Sequence, residues 1–77
     1  MKIVYAKQPI KFLKKLPAKT RNRILDAIAQ LPKAGDIKKL KGLDGYRLRV
    51  GDYRVIFNHE GRVFIIYKID NRGQAYK

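Results

Sequence analysis

The sequence predicts an α+β domain in which an N-terminal strand and a helical hairpin precede a three-stranded antiparallel meander, giving a small sheet with two helices packed on one face. Three observations predict it. Ile24, Ala27, Ile28 and Leu31 recur at the spacing of one helical stripe, bracketed by Pro17 and Pro32. Tyr46-Arg47-Leu48-Arg49-Val50 alternates strictly between arginine and apolar or aromatic residues and meets a tight-turn pair, Gly51-Asp52. Arg62 to Ile69 is almost unbroken in strand-forming residues. A chain of 77 residues has room for one domain over 1–77 and a thin core, so a partner that stabilises it is expected.

Ile3-Val4-Tyr5 supplies the first strand, ended by Gln8-Pro9. Pro9 suits the first turn of a helix, and Ile10, Leu13 and Leu16 then fall three apart, opposite Lys11, Lys14 and Lys15, with Phe12 flanking. Leu16-Pro17 interrupts that helix, because a residue before proline avoids the helical region, and Pro17 is expected at the first position of the second helix. Arg21, Arg23, Asp26 and Gln30 lie off its apolar stripe. Residues 33–45 mix glycines, lysines and isolated leucines and read as a long loop pinned to the core by Ile37, Leu40 and Leu43. Tyr46–Val50 and Tyr53–Phe57 form a hairpin, and a turn at Asn58-His59-Glu60-Gly61 leads into the last strand, expected to be central and buried on both faces. The first strand joins an edge, the helices cover one face and the other stays open.

The chain holds 19 Lys+Arg against 6 Asp+Glu, a formal charge of +13. A field of that size draws in polyanions, so nucleic acid, an acidic protein or both are the expected partners. A charge kept for solubility is the plainer alternative. Membrane-surface binding fits less well, since the basic residues continue through the strands. There is no cysteine and a single histidine, which excludes disulfides and thiolate chemistry and leaves no ligand set for zinc. The N-terminal apolar run is cut by Lys7 and Lys11, and no run approaches a membrane span, so a cytoplasmic protein is expected.

Arg47 and Arg49 share one strand face, about 7 Å apart, close to the phosphate repeat of an extended nucleic-acid strand. Arg54 lies across the Gly51-Asp52 turn, where it can converge on the same patch; a solvated polar face is the competing reading. The tail carries Lys68, Arg72, Tyr76 and Lys77, and a tyrosine beside arginines is suited to stacking an unpaired base. Lys38, Lys39 and Lys41 in the preceding loop complete the cations expected to contact RNA, with Lys68 and Lys77. Catalytic sets of the usual kinds are missing: the acids Asp26, Asp36, Asp44, Asp52, Glu60 and Asp70 fall mostly in turns and at element ends, with no cluster to hold a metal. His59 sits in a hairpin turn and is a turn residue rather than a base. No cofactor or metal is expected.

The order of elements, together with Leu40-Lys41-Gly42-Leu43, the stretch Tyr46 to Ile56 and the ending Arg72-Gly73-Gln74-Ala75-Tyr76-Lys77, resembles the RelE/ParE superfamily of bacterial and archaeal toxins over essentially the whole chain, most closely the compact archaeal-type RelE proteins. The resemblance implies the toxin of a type II toxin–antitoxin pair, a metal-independent endoribonuclease that enters the ribosomal A site and cuts messenger RNA with the RNA's own 2′-OH. By position it implies that Arg47, Arg49, Arg54, Arg72 and Tyr76 form the catalytic set: the cations stabilise the pentacoordinate phosphate, Arg72 assists the leaving 5′-oxygen and Tyr76 orients the base. Its partner is expected to be an acidic RelB-like antitoxin that covers the basic face. Well-studied members carry lysines where Arg47 and Arg49 stand, and arginine's pKa above 12 leaves the general base unassigned. A gyrase poison of the ParE type and a non-catalytic RNA-binding module are the alternatives.

Overall fold

The computed structural model describes residues 2–33, 36–40 and 45–71. Within them lie β1 (Lys2–Tyr5), α1 (Lys7–Lys14), α2 (Ala18–Ala29), β2 (Asp36–Lys39), β3 (Tyr46–Val50), β4 (Tyr53–Glu60) and β5 (Val63–Asn71). The strands form one sheet in the order β1-β5-β4-β3-β2. β1 runs parallel to β5, and the other neighbours are antiparallel. Leu13, Ile24, Ile28 and Leu31 from the helical hairpin pack on Leu48, Val50, Val55, Phe57, Phe64, Ile66 and Ile69 from one sheet face. Burial of each such side chain contributes roughly 1.5–3 kcal/mol, which is how a thin core holds a short chain together. Tyr5 packs against this core, and desolvation pushes its hydroxyl pKa above that of a free tyrosine.

The α2 stripe is as expected, with Ile24 and Ile28 fully buried. α1 differs in detail. It begins at Lys7, and its inward residues are Pro9 and Leu13; Ile10 is 43% exposed. Residues three apart drift around a helix, whereas the Pro9–Leu13 spacing of four stays on one side. Pro17 stands just outside α2 rather than at its first position, extended at φ −55°, ψ 147°.

The expected loop over 33–45 contains a strand. β2 pairs with β3 through Asp36↔Arg49, Ile37↔Leu48, Lys38↔Arg47 and Lys39↔Tyr46. Its one apolar residue gives little periodic signal, and such short, charged strands are typical of sheet edges, where they discourage further pairing. The β4 strand runs on through His59 and Glu60, so the second turn is Gly61-Arg62. Gly51 and Gly61 take φ of 59° and 57° as the first residue of each two-residue turn, a position that favours glycine.

β5 lies inside the sheet but is not buried on both faces: Phe64, Ile66 and Ile69 are buried, while Tyr67 is 48% exposed. The pairing slips between Phe57↔Ile66 and Ile56↔Lys68, leaving Tyr67 as an extra residue in a β-bulge. That bulge explains why the buried positions on β5 step by two and then by three. Beyond the end of β1, the Gln8 side chain takes over the pairing with β5: its Nε2 donates to the Ile69 carbonyl at 2.8 Å and its Oε1 accepts from the Ile69 N–H at 2.9 Å. Gln8→Ala is expected to cost about 1–3 kcal/mol, because both backbone groups of a buried strand lose their partner. Urea unfolding compared with Lys7→Ala, expected within about 0.5 kcal/mol of the parent, checks this.

Candidate nucleic-acid interface

Residues paired across neighbouring strands project from the same sheet face, so the register fixes which charges meet. On the face away from the helices, one row across four strands reads Asp36, Arg49, Arg54, Asp70. The next row reads Lys38, Arg47, Ile56, Lys68. Five of the cations anticipated from sequence, Lys38, Arg47, Arg49, Arg54 and Lys68, thus come from four strands onto one open face. Lys39 does not join them; it pairs with Tyr46, whose ring packs against the core, and therefore lies on the helix side. Lys41, Arg72, Tyr76 and Lys77 lie outside the described residues.

Two carboxylates are set among these cations, and sequence reasoning missed their role. Arg54 grips Asp70 with a fork: Nε donates to Oδ1 at 3.1 Å and Nη2 to Oδ2 at 2.9 Å. The same Oδ2 lies 3.9 Å from the Lys68 ammonium. At the opposite end of the row Asp36 accepts from Arg47 Nη2 at 3.3 Å and stands 3.8 Å from Arg49 Nε. Arg49 and Arg54 are directly opposite, an arrangement that like charges disfavour. Flanking acids on both sides offset that repulsion. The signal was present only as spacing: Asp70 and Arg54 are 16 residues apart in the chain and meet through the bulged β4–β5 register.

Burial grades the cations. The Arg47 side chain is 13% exposed against 38% for Arg49, 34% for Arg54 and 59% for Lys68. Three arginines close together in a partly dehydrated setting attract phosphate strongly, because guanidinium forks match its oxygens and screening is incomplete. His59 belongs elsewhere: on the helix side it stacks between Tyr46 and Phe64, at ring separations of 5.5 and 5.2 Å. With Pro32, Ile37 and Phe57 these rings line a cleft of about 210 Å³. Among the described residues no group of three or more histidine or acidic side chains is placed to hold a metal ion. No helix among them is long and apolar enough to cross a membrane.

Against known proteins, residues 3–76 match a family model described as the ParE toxin of type II toxin–antitoxin system, parDE. Toxin RelE3 of Methanocaldococcus jannaschii is 34% identical over 84 residues, covering 99% of this chain and 96% of that protein. A chain in the crystal structure of the RelB-RelE antitoxin-toxin complex from Methanococcus jannaschii superposes with a TM-score of 0.77 at 34% identity, covering 95% of this chain and 94% of that one. The archaeal RelE-RelB complex from Pyrococcus horikoshii OT3 gives 0.74 at 36% identity, over 95% and 96%. The YoeB/ParE toxin from Agrobacterium tumefaciens shares the fold, with a TM-score of 0.72 at 20% identity over 92% and 98% of the two chains.

Proposed function

The chain belongs to the ParE toxin family of type II toxin–antitoxin systems, and from that premise we propose that it is a RelE-type toxin that cleaves messenger RNA on the ribosome. The observation that carries the reading is the gathering of Arg47, Arg49 and Arg54 on one open sheet face, bordered by Lys38 and Lys68. In the reaction the 2′-oxygen of the messenger bonds to the adjacent phosphorus and the bond to the 5′-oxygen breaks. The products are a 2′,3′-cyclic phosphate and a 5′-hydroxyl. Negative charge builds on the phosphate oxygens as the nucleophile adds, and fixed guanidiniums stabilise that charge more than they stabilise the ground state. Neither Arg47 nor Arg49 takes the 2′-OH proton, since arginine stays protonated. Arg72 and Tyr76 are assigned to the leaving oxygen and the base by resemblance alone.

An acidic antitoxin segment is the proposed regulator. It would seat on the same cations, as opposite potentials direct association; the Methanococcus jannaschii structure is of a RelB-RelE antitoxin-toxin complex, and the Pyrococcus horikoshii structure is of a RelE-RelB complex. Because the matching model is described as a ParE toxin, gyrase poisoning is the second reading. Expression of the chain alone, followed by mapping of messenger 5′ ends, separates the two. New 5′-hydroxyl ends inside translated regions are expected. Intact messengers with DNA-damage signalling would replace this reading by the second, and salt-sensitive RNA binding with neither effect would reduce the protein to a binding module.

A further inference from the structure

We propose that Asp70 is a positioning residue that holds Arg54 in place for the scissile phosphate and whose own charge keeps the face from gripping RNA too tightly, an inference that rests on the cleavage reading above. The geometry is specific to Asp70. Both its oxygens accept from Arg54, at 3.1 and 2.9 Å, so the guanidinium plane is fixed against a neighbour, Arg49, that would otherwise push it away. One of those oxygens also lies 3.9 Å from Lys68, so a single carboxylate links cations from both rows. Its side chain is 22% exposed against 51% for Asp36, whose contacts of 3.3 and 3.8 Å are looser. Asp36 therefore restrains its arginines less.

A negative charge inside an RNA-binding face opposes binding at every phosphate within its reach. Beside Arg54 it therefore costs affinity, offset by orientation of the guanidinium and by relief of the Arg49–Arg54 repulsion. Positioning by a group that does not itself touch the reacting atoms still matters, since a shift of about 1 Å in a charge-stabilising group costs on the order of 100-fold in rate. The two roles pull apart when the charge is removed. Asp70→Asn should bind RNA more tightly and cut it more slowly.

The experiment uses the whole chain in two assays: titration of a 2′-O-methyl oligonucleotide, which cannot be cleaved, and single-turnover cleavage of messenger on programmed ribosomes at saturating protein. For Asp70→Asn we expect the dissociation constant to fall about 3- to 10-fold at low salt and the cleavage rate to fall about 10- to 100-fold. Asp70→Glu, which keeps the charge, should hold the parent's affinity and recover most of the rate, while Asp36→Asn should slow cleavage less than Asp70→Asn does. A rate for Asp70→Asn within about 3-fold of the parent, or an affinity that is unchanged or weaker, overturns the inference while leaving the nuclease reading intact. So does a rate loss that comes with disappearance of the acid limb of the pH–rate profile, which would make Asp70 the proton acceptor. Absence of cleavage by the parent protein overturns the nuclease reading itself, and the inference with it.

Discussion

Arg54→Ala is expected to lower messenger cleavage by about 100- to 1,000-fold, the loss typical of removing one preorganised donor from the charge that develops in a transition state. Stability changes too, and the two effects have to be separated. Without Arg54, the Asp70 carboxyl loses its forked partner in a partly buried position beside Lys68, which raises the cost of folding. The double variant Arg54→Ala/Asp70→Ala removes both members of the pair, so it should recover stability without recovering cleavage. Arg54→Lys keeps a positive charge but loses the fork, and it should fall between the parent and the alanine variant. Ribosome-programmed cleavage read beside thermal unfolding distinguishes these outcomes; equal losses in both measurements for every variant would mean that Arg54 serves the fold alone.

Ile66→Ala should be among the most damaging truncations in the sheet, costing about 2–5 kcal/mol. Ile66 is fully buried, lies on the strand between β1 and β4, and pairs with Tyr5 on one side and Phe57 on the other. The hole left there is flanked by the Tyr5 and Phe57 side chains, which their own strands hold in place, so it has little means of closing. A short domain stands near the low end of roughly 5–15 kcal/mol of total stability, so much of the variant should be unfolded at growth temperature. Ile66→Val removes one methyl group and should cost about 0.5–1.5 kcal/mol. Urea midpoints for the three proteins give the comparison, and a loss below about 1 kcal/mol for the alanine variant would contradict the packing described.

Much of this arrangement was legible from residue order. Proline punctuation and the α2 stripe located the hairpin, and the alternation of Tyr46 to Val50 placed Arg47 and Arg49 on one face while Leu48 and Val50 entered the core. β2 was not legible, since Asp36-Ile37-Lys38-Lys39 has only one residue to bury and is held mainly by what β3 offers it. Without β2 in view, Lys38 and Lys39 looked equivalent, although pairing sends them to opposite faces. Asp36 and Asp70 read as ordinary terminal acids because their partners are distant in sequence. His59 read as a turn residue because Asn58 and Gly61 are turn-formers, yet its ring is more favourably placed against Tyr46 and Phe64 at the end of a long strand.

The bulge at Tyr67 has a consequence for how variants of this chain can be tolerated. Counting by twos from Ile66, an unbroken strand would carry Lys68 and Asp70 inward and turn Ile69 out; the added residue reverses that phase. Deleting Tyr67 alone would make Ile66 and Lys68 consecutive partners of Phe57 and Ile56, removing the bulge while Lys68 and Asp70 stay outward and Ile69 stays in the core. The sign of the potential at the end of β5 is thus written by residue count as well as residue type: one residue added after Tyr67 without a second bulge would turn Lys68 and Asp70 inward, and should be more harmful than deletion of Tyr67 itself.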